Sequence, residues 1–271
     1  LRKPKGDPDQ GCLGCFLILG AIAIAVVAYV WWDNWGDEWW RLRPLRAATE
    51  ERFEKDPPVF STVKDMDGQV YRTVRIGKQT WMAQNLNRLV KDSWCYDDKE
   101  ANCAKYGRLY PWHAAMNLNA KYDLSSWNGN EMTHQGICPE GWHIPSDKEW
   151  GVLRDFCGGR EIAGAFLKAD AGWNDGSNGN NKSGFSALPA GYRYDNGNFN
   201  YAGSPIAYFW SATYYHRDGY GDSDSYGANS WDLNYDNEKF NDDEYFINND
   251  NDYYGYSVRC LKDSEPESIE Q

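Results

Sequence analysis

The sequence is short of positive charge: 28 lysines and arginines stand against 40 aspartates and glutamates, giving a formal charge of −12 and a pI near 4.8. An acidic chain repels phosphate backbones and acidic lipid surfaces, which argues against nucleic acid as a partner and leaves neutral partners open. No P-loop and no dinucleotide fingerprint occurs, and the glycines fall in turns. Histidine is scarce: His113, His134, His143 and His216 are scattered. The C-x-x-C pair Cys12 and Cys15 lies in an apolar segment, so no zinc-type ligand set is formed. Residues 175–181 (DGSNGNN) and 218–224 (DGYGDSD) are oxygen-rich, as a hard cation requires, but lack the spacing and closing glutamate of an EF-hand. They read as solvated turns, with calcium the one cofactor question and no cofactor assigned. Ser146, His143 and Asp147 are neighbours, yet helix capping accounts for the serine. No nucleophile–base pair or carboxylate pair stands out, and no catalytic residue is expected.

Charge is also missing from residues 11–32, a run of roughly 22 residues that as a helix spans about 33 Å, the thickness of a hydrocarbon core. The reading is a single transmembrane helix after a polar terminus at 1–10. Trp31, Trp32, Trp35, Trp39 and Trp40 cluster at and beyond its end, where indoles favour the headgroup layer. A cleaved signal peptide ending at Val26-Val27-Ala28 is the alternative; against it, the apolar run continues through Trp32. Residues 33–55 read as a charged, helix-compatible juxtamembrane stalk broken by Pro44. A domain at 56–263 and an acidic tail at 264–271 complete the chain. Arginines and lysines flank the span almost evenly, so the cysteines decide orientation: disulfides place the N-terminus inside and the domain outside the cytoplasm.

The domain opens with β-prone runs at 59–63, 69–76 and 79–82, separated by Asp67-Gly68 and Gly77-Lys78 turns, which predicts an antiparallel meander. Ser146 followed by Glu149 is a capping box, Pro145 precedes it and Gly158-Gly159 follows, which predicts a helix over 146–157. Trp150, Leu153 and Phe156 form its apolar face. Shorter helices are expected at 110–118 and 160–169, and short strands with long turns from Gly184 onward. Five cysteines follow the apolar segment: Cys95, Cys103, Cys138, Cys157 and Cys260. Cys95 pairs with Cys103, closing a polar loop that has no apolar periodicity to hold it. Cys138, at the helix start, pairs with Cys260 in the closing strand, which leaves Cys157 free and buried.

The strings VRIGKQTWMAQNLN, YGRLYPWHAAM, GICPEGWHIPSDKEW, GFSALPAGYR, FWSAT and YGYSVRCLKD occur in this order over most of residues 56–263. They resemble the Fibrobacter succinogenes major paralogous domain family. The resemblance implies bacterial surface or secreted domains with a layout similar to C-type-lectin-like and formylglycine-generating-enzyme-like folds. The expected fold is therefore α+β: a C-type-lectin-like domain with two helices, short antiparallel strands and long loops. The formylglycine-generating relatives use paired active-site cysteines, a pattern this chain does not match.

Aromatics make up 16% of the chain, including 14 Trp and 19 Tyr, and many are interleaved with Asn and Asp. A flat ring can stack on a pyranose face while amides and carboxylates bond its hydroxyls. This makes Tyr201, Tyr214, Tyr215, Tyr220, Trp231 and Tyr235 the candidate ligand-binding residues, whereas Trp142 and Trp150 are assigned to the core. Three functions follow as expectations: non-catalytic binding of glycan or another extracellular polymer, a structural role in a cell-envelope assembly, and an enzyme on the formylglycine-generating-like scaffold.

Overall fold

The computed structural model describes residues 37–123, 127, 129–200, 206–217, 225–247 and 254–264. The apolar segment 11–32, the acidic run 218–224 and the tail from 265 lie outside the described residues. Among the described residues no helix is long and apolar enough to cross a membrane. The chain divides into two compact units, Leu1–Ala47 and Ala48–Gln271.

In chain order the elements are α1 (Asp37–Lys55), β1 (Val59–Lys64), β2 (Val70–Ile76), β3 (Gln79–Met82), α2 (Glu100–Tyr106), α3 (Trp112–Ala115), β4 (Trp142–His143) and α4 (Asp147–Phe156). There follow α5 (Ala163–Leu167), β5 (Tyr192–Arg193), β6 (Phe199–Asn200), β7 (Ile206–Arg217), β8 (Ser225–Asn234), β9 (Phe240–Ile247) and β10 (Leu261–Lys262). The mixture of helices with antiparallel sheets is α+β.

The opening meander forms as its turn residues dictate. Asp65 Oδ1 accepts the amides of Asp67 and Gln69 at 3.0 and 2.9 Å, and Gly68 takes the left-handed φ of +83° that closes β1 onto β2. Gly77 does the same, at φ +58°, between β2 and β3. β10 then inserts between β3 and β4, giving the order β1-β2-β3-β10-β4, with Leu261 opposite both Trp81 and His143. The last strand is thus clamped between the meander and the chain leading into α4, and Cys138–Cys260 locks that junction covalently. The second expected disulfide, Cys95–Cys103, is also formed, and Cys157 is free and buried.

α4 starts at the capping box: the Glu149 carboxylate accepts the Ser146 amide at 2.8 Å and the Ser146 hydroxyl at 2.7 Å. Its fully buried Trp150 is the hub of the core, with ring centroids 4.5 Å from Trp81, 5.6 Å from Phe209 and 5.8 Å from Phe240. Trp142 is buried as well.

The elements depart from expectation in four places. α1 runs through Pro44, where the sequence predicts a break. A proline there costs about 3 kcal/mol, but the flanking Leu42, Leu45, Ala47, Ala48 and glutamates are strong helix formers. Residues 48–55, read as stalk, pack into the domain: Phe53 is buried, 5.4 Å from Phe156 and 5.6 Å from Phe166, and the Arg52 guanidinium donates to the Phe156 carbonyl at the end of α4. α3 and α5 are shorter than predicted. Tyr110 exchanges backbone hydrogen bonds with Tyr256 instead of joining α3, and Asn117 stops that helix at φ +53°. Finally, Ile206–Arg217, Ser225–Asn234 and Phe240–Ile247 form long strands in the order β7-β8-β9 where short strands were expected. The acidic FNDDEYFI of β9 carries no strand pattern of its own; it is an edge strand held by backbone pairing to β8, a place where charge is tolerated.

Candidate binding surface

The six aromatic candidates do not converge. Tyr201 and Tyr220 lie outside the described residues, and Tyr215 sits on β7 opposite Gly227 with its side chain outside them. Tyr214 is half-buried, its ring tilted against Trp112 at 5.2 Å. Trp231 is only 2% exposed and belongs to the core, a correction to its place on a ligand-binding face. Its ring sits against Trp150 and Phe240, and its indole N–H donates to the Asp147 carboxylate at 3.0 Å. Tyr235, 38% exposed after the end of β8, is the one of the six with a described exposed ring.

A different set of rings gathers around the β5–β6 hairpin. Tyr192 and Tyr194 meet at 4.7 Å, and the Tyr192 hydroxyl donates to that of Tyr194 at 2.7 Å. Tyr254 packs 5.9 Å from Tyr192 and 5.5 Å from Tyr194. Beneath them Tyr208 and Tyr256 stack at 4.6 Å, and Tyr256 reaches Trp210 at 4.4 Å. The hairpin turns over Asp195-Asn196, with the Gly197 amide donating to the Tyr194 carbonyl at 3.1 Å and Gly197 taking the left-handed φ of +87° that rejoins the strands, so the Asn-Gly pair marks the turn in the sequence.

The Cys95–Cys103 loop lies against this hairpin. It is more ordered than its sequence promised: a 3-10 turn at Tyr96–Asp98 leads into α2. Tyr96 contacts Phe199 at 5.2 Å, and the Arg193 guanidinium covers Trp94 at 4.0 Å. Burial lowers the Arg193 pKa, against the pull of Asp98 and Asp195. Between loop and hairpin is a cleft of about 710 Å³ lined by Tyr194, Phe199, Asn198, Asp97, Asp98 and Lys99. Two half-buried rings thus stand beside exposed carboxylate and amide groups.

Elsewhere the polar groups are engaged structurally. His143 is buried between Asp263, at 2.6 Å from Nδ1, and Glu149, at 3.0 Å from Nε2, and does not engage Ser146. The Asp147 carboxylate instead holds Trp231 and Asn229 of β8. In the 175–181 loop the side-chain oxygens of Asn178, Asn180 and Asn181 accept the amides of Trp173, Lys182 and Ser186 at 2.9, 3.0 and 3.0 Å, so they brace the loop itself. Cys95, Glu100 and Cys103 place ligand atoms within 4.8 Å of one another, but the two sulfurs are joined in a disulfide and offer no thiolate.

The model of the Fibrobacter succinogenes major domain matches residues 74–262. The chain belongs to this family. The matched span runs from within β2 to β10 and so takes in both disulfides, the capping box and the hairpin cleft of this Fibrobacter succinogenes major domain. No curated protein and no solved structure matches the chain.

Proposed function

We propose that this Fibrobacter succinogenes major domain is a non-catalytic binding module with a C-type-lectin-like layout. In this reading the 11–32 segment anchors it in a bacterial membrane, the domain faces outside the cytoplasm, and it takes glycan or another extracellular polymer at the hairpin cleft. The observation that carries the reading is the pairing of the Tyr194 and Phe199 rings with Asp97, Asp98 and Asn198 around one open cleft. Rings of this kind stack on sugar faces, and the polar groups bond hydroxyls without requiring a charged ligand. A glycan array probed with the protein, alongside Tyr194→Ala and Phe199→Ala variants, tests it. The reading requires at least one glycan signal that both variants reduce, and an array silent for the native protein rejects it.

A role in an envelope assembly is supported by a separate feature. The edge strand β1 leaves Val59 and Phe60 more than half exposed, at 54% and 58%, beside a backbone edge that no described strand pairs with and that suits strand addition.

A further inference from the structure

Arg259, just before Cys260, is a fully buried guanidinium that no carboxylate pairs with among the described residues. Its donors go to neutral oxygens: Asn85 Oδ1 at 2.5 Å and the carbonyls of Met82, Phe185 and Ser186 at 3.1, 2.6 and 3.2 Å. Its flat face rests on the Phe185 ring at 4.3 Å. Burial, together with the like charge of Arg72, pushes its pKa down to about 9, so it keeps its proton at neutral pH. A buried cation without a counterion is costly unless something else supplies the negative charge.

Arg259 forms part of the wall of a cavity of about 640 Å³, within the range of small-molecule sites. Arg72 and Lys105 line the same cavity, against the single carboxylate of Asp170. A cationic cavity on a chain of charge −12 runs against the sign of the molecule as a whole. The lining also includes Asn87, whose side-chain oxygen is buried without a hydrogen-bond partner among the described residues, and the amide side chain of Gln84.

The geometry points to a second site, distinct from the hairpin cleft, that binds a small hydroxylated carboxylate of the sugar-acid class. The carboxylate is held by the Arg259, Arg72 and Lys105 cations, and the hydroxyls by the surrounding amides. A guanidinium suits a carboxylate because its donors match both oxygens. The exposed Arg72 can offer that fork, while Arg259, with four of its five N–H donors spent on protein oxygens, contributes its charge and at most one bond. The polyol supplies O–H donors to the Asn87 oxygen.

The test titrates the protein at low salt with galacturonate and, as the neutral counterpart of the same ring, galactose, followed by calorimetry and thermal shift. Galacturonate is expected to bind saturably and raise the melting temperature, while galactose at equal concentration does neither. Arg72→Gln and Lys105→Gln, both at exposed positions that leave Arg259 and the fold in place, are each expected to weaken galacturonate at least fivefold. They should leave the melting temperature of the free protein unchanged. Tyr194→Ala should not alter galacturonate binding, which separates this site from the hairpin cleft. Absence of saturation at millimolar galacturonate, equal binding of galactose, or full affinity in the Arg72→Gln/Lys105→Gln double variant overturns the assignment.

Discussion

His143 bridges Glu149 of α4 and Asp263 just beyond β10, at 3.0 and 2.6 Å, and so ties the start of the main helix to the end of the domain through one buried imidazole. Burial by itself would lower the His143 pKa, but the hydrogen bonds and charges of Glu149 and Asp263 outweigh it and raise the value above 6.5. Burial would raise the Glu149 pKa, and the bonds from His143 and Ser146 outweigh that and hold it below 4.5. The histidine's contribution to stability is complete below pH 6.5 and is lost as pH rises through its higher folded value. The glutamate's is complete above pH 4.5 and is lost as pH falls through its lower folded value. The difference in melting temperature between the native protein and His143→Gln should therefore be largest between these limits and shrink as pH rises. The native profile by itself also carries Lys168, whose burial lowers its pKa to about 8 and whose neutralisation adds stability on the alkaline side. A difference that stays constant from about pH 6 to pH 9 would contradict the linkage.

Cys138–Cys260 closes a loop of 122 residues in sequence separation, whereas Cys95–Cys103 closes one of 8. Chain-entropy arguments assign about 4 to 5 kcal/mol to the longer loop and less to the shorter. The Cys138→Ala/Cys260→Ala double variant should accordingly lower the urea midpoint much more than Cys95→Ala/Cys103→Ala. Peptide mapping without reductant should recover these two crosslinks, with Cys157 outside both.

Cys157 is fully buried, and burial pushes its thiol pKa far up. The native protein should resist alkylation at Cys157 at pH 8 and react after denaturation. Rapid labelling of the folded protein would show that the end of α4 opens.

Trp150→Ala should cost about 3 to 5 kcal/mol, because it empties the centre of the aromatic core. Trp231→Ala should approach that cost, adding to the cavity the loss of one hydrogen bond to the Asp147 carboxylate, which keeps Asn229. Tyr235→Ala, at an exposed ring, should change stability by less than about 0.5 kcal/mol. Chemical denaturation of the three variants orders them directly.

Because Asn178, Asn180 and Asn181 spend their side-chain oxygens on the backbone of their own loop, removing divalent cations with a chelator should leave the melting temperature unchanged. A fall of several degrees, restored by calcium, would place a cation in the domain.

The features legible in the sequence are those fixed by neighbours along the chain. Asp67-Gly68 and Gly77-Lys78 dictate the meander because a left-handed residue is needed at each turn, and Ser146 with Glu149 dictates the start of α4 because a first helical turn has open amides. The disulfide pairs were also legible, one from a short unsupported loop and one from the placing of Cys138 and Cys260 at the helix start and the closing strand. Tertiary structure decided what depends on distant partners. β9 is a strand only because β8 offers its edge, and Trp231 is core only because α4 brings Trp150 and Asp147 against it. Residues 192–199 become a candidate surface only because the Cys95–Cys103 loop folds back beside them. Composition around Tyr201–Tyr235 could mark aromatics interleaved with amides and acids, but not which rings face solvent. Exposure is set by the sheet register and by the elements that cover each face, and neither is encoded locally.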